Sequence, residues 1–205
     1  MTLPEHWVLA TANRGKVAEL SALLDAAGLA LRVTSQSELG VSAPPEDGTT
    51  FVENALTKAR HAARLTGLPA IADDSGLVVA ALGLAPGVRS ARYAGENADD
   101  RANIAKLLAA LDSTSDRTAH FHCVLVALGH AEDPAPLIAS GSWAGEIARV
   151  PRGHGGFGYD PVFFDPALGC TAAELDADAK NRVSHRGVAI RRLVELLKNE
   201  LSKNR

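Results

Sequence analysis

Ile71-Ala72-Asp73-Asp74-Ser75-Gly76 sets an apolar run directly against two adjacent carboxylates. Leu68 to Ala72, with its Pro69 boundary, has the length and composition of a short buried strand, and a second apolar run, Leu77 to Leu82, follows. Successive strand residues point to opposite faces, so Asp73 and Asp74 must meet different surroundings. A carboxylate at the end of an apolar strand is costly to bury unless it is paired, hydrogen-bonded or bound to a metal. Hard cations such as Mg²⁺ take oxygen ligands, often one or two carboxylates together with substrate phosphates. The same residues also suit a turn, because Asp, Ser and Gly are frequent turn formers. At this point both readings stand, a bare turn and a strand that delivers carboxylates to a site.

The 205 residues around this stretch have an ordinary globular composition, 46% hydrophobic and 22% charged. The formal net charge of −3 lacks the basic surplus of a protein that binds a nucleic-acid backbone. Cys123 and Cys170 form no Cys-x-x-Cys pair, so neither a disulfide framework nor a thiolate zinc site is expected, and a reducing cytoplasm fits. The N-terminal residues lack the basic and apolar regions of a signal peptide. No uncharged stretch reaches the roughly 20 apolar residues of a spanning helix, so no membrane partner is expected.

Upstream, Trp7 to Ala12 reads as the first strand and Lys16 to Ala27 as a helix with an apolar stripe, closed by Gly28. A strand, a polar loop and a helix start bring free N–H groups and a positive dipole end to one spot, where anions bind. Thr11, Asn13 and Lys16 stand there, although the spacing is not that of a Walker loop. Leu31 to Thr34 suggests a second strand. Thr50 and Glu53 have capping-box spacing, so a helix is expected from Phe51, with Lys58, Arg60 and Arg64 mostly outside its buried stripe. Glu46 and Asp47 before it suit a solvated turn unless the fold carries them to Asp74.

Downstream, Pro86 to Gly95 is irregular, and Asp99-Asp100 open another helix. His120 to Leu128 and Leu137 to Val150 read as a hairpin. His120 and His122 share a strand face without a third metal ligand nearby in sequence. Gly153-His154-Gly155-Gly156-Phe157-Gly158-Tyr159-Asp160 allows backbone to approach a ligand closely. Phe157 and Tyr159 offer faces on which a nucleobase stacks, and Asp160 can accept from a base or ribose; a flexible hairpin loop is the competing reading. Pro161 to Phe164 suggests a short strand, Thr171 and Glu174 a small capped helix, and Lys180 to Arg186 a basic run. Ser184 is placed to cap a last helix bearing Ile190, Leu193, Val194, Leu197 and Leu201 on one stripe.

Together these stretches offer donors and cations for phosphates, oxygens for a divalent metal, and a stacking surface for a base. That combination describes a nucleoside triphosphate and hydrolytic or phosphoryl chemistry.

Six motifs, in this order, resemble the inosine/xanthosine triphosphate pyrophosphatases over nearly the whole chain. They are Thr-Ala-Asn-Arg-Gly-Lys (11–16), Glu-Asp-Gly-Thr-Thr-Phe-Val-Glu-Asn-Ala (46–55), Ala-Asp-Asp-Ser-Gly (72–76), Pro-Gly-Val-Arg-Ser-Ala-Arg-Tyr (86–93), Gly-Gly-Phe-Gly-Tyr-Asp (155–160) and Ser-His-Arg-Gly (184–187). The resemblance implies one α/β domain over residues 1–205, elongated and two-lobed around a central mixed sheet with flanking helices, and a substrate cleft between the lobes. It implies a Mg²⁺-dependent homodimer that hydrolyses deaminated purine nucleoside triphosphates to the monophosphate and diphosphate. It implies that Thr11, Ala12, Asn13, Arg14, Gly15, Lys16 and Ser75 hold the triphosphate, and that Asp74 is the catalytic acid residue. Phe157, Gly158, Tyr159, Asp160, Lys180, His185 and Arg186 would hold the nucleoside, and Glu46 and Asp74 the metal. Ala43, Pro44 and Pro45 stand where family members often carry further acids before Glu46. Two other readings fit less well. Maf-like pyrophosphatases carry a Ser-x-Ser-Pro-Arg-Arg-like N-terminal loop that is absent here, and a nucleotide-sensing or nucleic-acid-binding module would have no use for the Asp pair.

Overall fold

The computed structural model describes residues 4–203. A seven-stranded mixed sheet runs in the order β2-β1-β3-β4-β5-β6-β7, with helices α1–α5 placed between and after its strands. The strands are β1 (His6–Leu9), β2 (Arg32–Ser35), β3 (Ala70–Val79), β4 (Thr118–Leu128), β5 (Leu137–Ile147), β6 (Phe163–Asp165) and β7 (Cys170–Thr171). β1 is parallel to both β2 and β3, whereas β6 is antiparallel to β5 and β7. The chain falls into two compact units. The first takes in the chain through Asp74, Val124–Ser140 and the stretch from Ala189 on; the second takes in Ser75–Cys123 and Gly141–Val188.

In the first unit, α1 (Arg14–Ala26) and α2 (Phe51–Thr66) follow β1 and β2. Asn13 caps α1, its Oδ1 accepting the Gly15 and Lys16 N–H groups at 2.8 and 3.4 Å. Thr50 and Glu53 form the expected capping box on α2, and Gly67 closes the helix in the left-handed conformation. Ala55, Ala59, Ala62 and Ala63 of α2 pack on Val8, Ala10, Ala70, Ala72, Val124, Val126 and Leu128. Four alanines on one face let this helix lie close against the sheet, so its polar neighbours on that face come close too.

In the second unit, α3 (Asp100–Ala110) buries Ile104 and Leu107 against Leu77, Val79, Phe121, Trp143, Ile147 and Phe163. Phe121 and Phe163 ring centroids lie 4.5 Å apart, and those of Trp143 and Phe163 5.0 Å apart. Trp143 Nε1 donates to Asp165 Oδ2 at 2.7 Å, so the indole is buried without losing its hydrogen bond. α4 (Ala177–Val183) and α5 (His185–Lys203) complete the chain, Ser184 standing between them.

The basic run 180–186 spans the end of α4 at Val183 and the start of α5 at His185, and Ser184 caps α5 as expected, its Oγ accepting the Gly187 N–H at 3.1 Å. Two sequence expectations change. The Asp-Asp-Ser-Gly stretch is no turn: β3 runs through it unbroken from Ala70 to Val79. Lys58 is not outside the buried stripe of α2 but only 8% exposed on it.

Candidate active site

β3 carries the charges that the sequence singled out, and each carboxylate finds its own cation. Asp73 accepts from Lys16 Nζ through both oxygens, at 3.0 and 2.9 Å. Asp74 accepts from Lys58 Nζ at 2.9 Å and from Asn54 Nδ2 at 3.2 Å. Alternation along the strand sends the two side chains to partners on different helices, Lys16 on α1 and Lys58 and Asn54 on α2.

Lys58 Nζ also lies 3.2 Å from Glu46 Oε1, so two carboxylates converge on one ammonium. Asn54 Oδ1 accepts the Gly48 N–H at 2.8 Å, which ties the loop bearing Glu46 to the same turn of helix that touches Asp74. Burial raises the pKa of Asp74 above the usual Asp value, and the charge of Lys58 only partly offsets it. Burial also opposes the charge on Lys58, but Asp74, Glu46 and Asp73 outweigh it and raise the Lys58 pKa. Asp74 is thus a better base than an ordinary aspartate, beside a cation that stays charged.

Neither Asn54 nor Lys58 was singled out from the sequence. The available signal was spacing: Asn54 and Lys58 are four apart and flank Ala55 and Ala59, so they share the buried face of α2.

The donor set suits a hard divalent cation. Glu46, Asp73 and Asp74 against Lys16 and Lys58 leave one formal negative charge, and every potential ligand is a carboxylate oxygen. Among the described residues no three His, Cys, Asp or Glu side chains form a complete cage. Two carboxylates completed by substrate phosphates and water are the Mg²⁺ pattern, not a structural site closed by the protein alone.

At the start of α1, Thr11 is buried, and its Oγ1 accepts the Asn13 N–H at 3.1 Å. Ala12, Asn13, Arg14 and Gly15 are exposed. The Asn13, Gly15 and Lys16 N–H groups are engaged within this turn, so the helix start offers an anion its positive dipole end and the exposed residues 12–15, with the N–H groups available once Asn13 Oδ1 gives way.

The second unit holds a cavity of about 150 Å³ lined by Ser75, Leu77, Ser90, Phe121, Phe157, Tyr159, Asp160, Lys180 and His185, among others. His185 stacks on Phe121, 4.8 Å between centroids and 16° between planes. Phe157 is 61% exposed, with Lys180 Nζ 4.8 Å from its ring centroid. Asp160 Oδ2 accepts the Phe157 N–H at 2.8 Å and also pairs with Lys180 Nζ. Gly156 is obligatory here: at φ +76° a Cβ would fall on the Asp160 carboxylate. Tyr159 is buried, unlike an open stacking face, and its hydroxyl donates to Ser90 O at 2.8 Å. Arg186 is buried, and its Nη2 donates to Ser75 Oγ at 3.3 Å.

The fold therefore gathers Ser75, Phe157, Gly158, Tyr159, Asp160, Lys180 and His185 around one cavity, and Arg186 reaches Ser75 beside it. Ser90, Ala91, Asp100 and Phe121 also line it and were not singled out. Of the run 86–93, Ser90 and Ala91 face this cavity, whereas Arg89, Arg92 and Tyr93 line a different depression. His120 and His122 remain half-buried on β4, and His122 Nδ1 hydrogen-bonds Ser142 Oγ at 2.8 Å.

An interior strand of a mixed sheet that carries buried carboxylate–ammonium pairs, and an aromatic cavity with donors at its rim, define an α/β protein with the parts of a nucleotide hydrolase. The chain belongs to the Ham1 family, whose model matches residues 7–196. It is 60% identical over 194 residues to the dITP/XTP pyrophosphatase of Erwinia tasmaniensis, covering 94% of both chains. It is 58% identical over 197 residues to that of Halorhodospira halophila, covering 95% of this chain and 98% of the relative. The solved structure of a HAM1 protein from Coxiella burnetii superposes with a TM-score of 0.91 at 53% identity, covering 97% of this chain and 100% of that one.

Proposed function

We propose that this protein hydrolyses dITP, ITP and XTP to the nucleoside monophosphate and diphosphate, removing deaminated purines before they enter DNA or RNA. The observation that carries the reading is the succession, on one strand, of a buried carboxylate held by an ammonium, Asp74, and Ser75 at the wall of an aromatic cavity. The family membership and the names of relatives at 58–60% identity support it.

Asp74 takes a proton from the attacking water, for which burial has made it more basic. Lys58 holds Asp74 and Glu46 together, and Asn54 fixes the orientation of the Asp74 carboxylate. Thr11, Ala12, Asn13, Arg14, Gly15, Lys16 and Ser75 take the triphosphate through N–H, hydroxyl and ammonium donors. Glu46 and Asp74 would hold Mg²⁺, which when bound neutralises phosphate charge and polarises the phosphoryl oxygens. In the second unit, Phe157 and the stacked His185 supply flat faces for the base, with Gly158 and Tyr159 shaping the wall. Lys180, His185 and Arg186 supply donors that favour a 6-carbonyl over a 6-amino group. Asp160 holds Lys180 and the Phe157 backbone in place.

A homodimer in the cytoplasm completes the proposal. It is supported by the family resemblance, and Cys123 and Cys170, which form no disulfide, fit a reducing compartment. No helix of the described residues is long and apolar enough to cross a membrane. The test is diphosphate release from a panel of dITP, ITP, XTP, dATP and dGTP with Mg²⁺ and with chelator. Efficient turnover of dITP, ITP and XTP but not of dATP or dGTP, abolished by chelator, is expected; equal turnover of dATP would replace this reading with a general nucleotide pyrophosphatase.

A further inference from the structure

Helix α3 has no part in the roles above, yet it holds the cavity wall at two places. Asp100 Oδ2 accepts the Gly158 N–H at 2.7 Å, across 58 residues of sequence. One turn on, Asn103 is 3% exposed; its Oδ1 accepts the Ala94 N–H at 2.8 Å and its Nδ2 donates to Ala91 O at 3.1 Å. Lys106, a further turn on, donates to Tyr93 O at 2.6 Å. The three-residue spacing puts these side chains on neighbouring turns of one helix side. Ala91 and Gly158 both line the cavity, so one helix sets two parts of its wall.

Asp100 is not needed to cap its own helix. Asp99 does that, its Oδ1 accepting the Ala102 N–H at 2.8 Å. Asp160 serves the Phe157 N–H and Lys180 with the same oxygen. Asp100 is the tie from this loop to the helix that also grips residues 91–94. Phe157 is 61% exposed, so packing holds it little, and the N–H bonds of Phe157 and Gly158 fix the backbone from which its ring projects. Gly158 has φ +60°, a left-handed conformation that glycine adopts without steric cost but that leaves it many alternatives, so a fixed N–H partner restricts the loop here.

We propose that Asp100 is a positioning residue for nucleoside recognition: by holding the Gly158 N–H it fixes the Phe157 ring relative to the wall at Ala91, and so the gap that a base enters. The inference rests on the reading of this cavity as the nucleoside site. It assigns Asp100 no contact with the reacting atoms.

The test compares Asp100→Ala and Asp100→Asn with wild type in three readouts: KM and kcat for dITP, inhibition by inorganic triphosphate, and exchange of the Gly158 amide in the ligand-free protein. Loss of a hydrogen bond to a charged acceptor is worth about tenfold or more in an equilibrium. Asp100→Ala should raise KM for dITP about tenfold with kcat changed less than about twofold, and should speed Gly158 exchange about tenfold. The affinity for inorganic triphosphate, which has no base, should stay at the wild-type value. Asp100→Asn, whose amide oxygen still accepts, should recover most of the KM. An unchanged KM, or a parallel loss of dITP and triphosphate affinity, overturns the proposal, and so does unaltered Gly158 exchange. Wild-type protein that turns over no dITP would instead overturn the nucleoside reading of the cavity, while Gly158 exchange would still report whether the tie exists.

Discussion

At the scale of single residues, the proposed chemistry concentrates on Asp74 and the ammonium beside it. Asp74→Asn keeps shape and hydrogen bonding but removes the base, and turnover of dITP should fall by about 10²-fold or more. Near-normal kcat in that variant would rule Asp74 out as the base. Lys58 is the stronger probe of the electrostatics. Burial alone would lift Asp74 further, and Lys58 is the largest opposing influence. Replacing Lys58 by Gln should therefore move the Asp74 titration to still higher pH in the metal-free protein, followed by the ¹³C shift of its carboxyl carbon. A lower or unmoved midpoint would show that Lys58 does not control the charge of Asp74. The sign for stability follows from the same shift. A carboxyl whose folded pKa lies above its unfolded value of about 3.9 stabilises the fold below that pH and ceases to as pH rises through the folded value. Asp74 thus costs stability at neutral pH, a cost set against its proposed use as a base.

Secondary-structure elements were legible where the signal is local. The capping box of α2 was readable from Thr50 and Glu53 alone, because both partners lie within one turn. The box also carries a pH dependence. Hydrogen bonds from Thr50 and Thr49 lower the pKa of Glu53, so its contribution is present above about 4.3 and is lost as pH falls through the folded value. The difference in Tm between wild type and Glu53→Gln should be largest near neutrality and vanish in acid; a difference that persists at pH 2 would mean the charge is not what the cap uses. Thr50→Ala should cost about 1 kcal/mol, measured by urea unfolding. β3 was not legible as one strand, because Asp73 and Asp74 look like turn formers until Lys16, 57 residues away, and Lys58 are seen to hold them. Lys58 itself was misread because charge usually marks the solvent side of a helix, and here a long-range ion pair overrides that habit. α4, at seven residues, and β7, at two, are too short to give a periodicity.

For the whole molecule, the sequence motifs name candidate site residues but not the division between units. The boundary falls within β3, between Asp74 and Ser75, where no glycine- or proline-rich linker marks it. β4 and β5 likewise contribute to both units without a break in strand pattern. The division suggests a separation of tasks that kinetics can read. Lys16, Glu46, Asn54, Lys58 and Asp74 belong to the first unit, whereas Phe157, Asp160, Lys180, His185 and Arg186 belong to the second. Under the proposed function, the proton transfer and triphosphate recognition, apart from the contribution of Ser75, fall to the first set and base choice to the second. Lys16→Ala should then raise KM for dITP and dATP alike and leave the ratio of their kcat/KM values within about twofold of wild type, since both carry the same triphosphate. Arg186→Ala should act on the ratio. A donor facing a 6-carbonyl discriminates against a 6-amino group by up to about 10⁴-fold, because the wrong base leaves buried donors unpaired. Removing that donor should lower kcat/KM for dITP far more than for dATP. Arg186→Lys, which keeps the charge but loses the planar fork, should recover only part of the ratio. If Lys16→Ala changed the ratio, or Arg186→Ala lowered both substrates equally, phosphate and base recognition would not be divided along the line between Asp74 and Ser75.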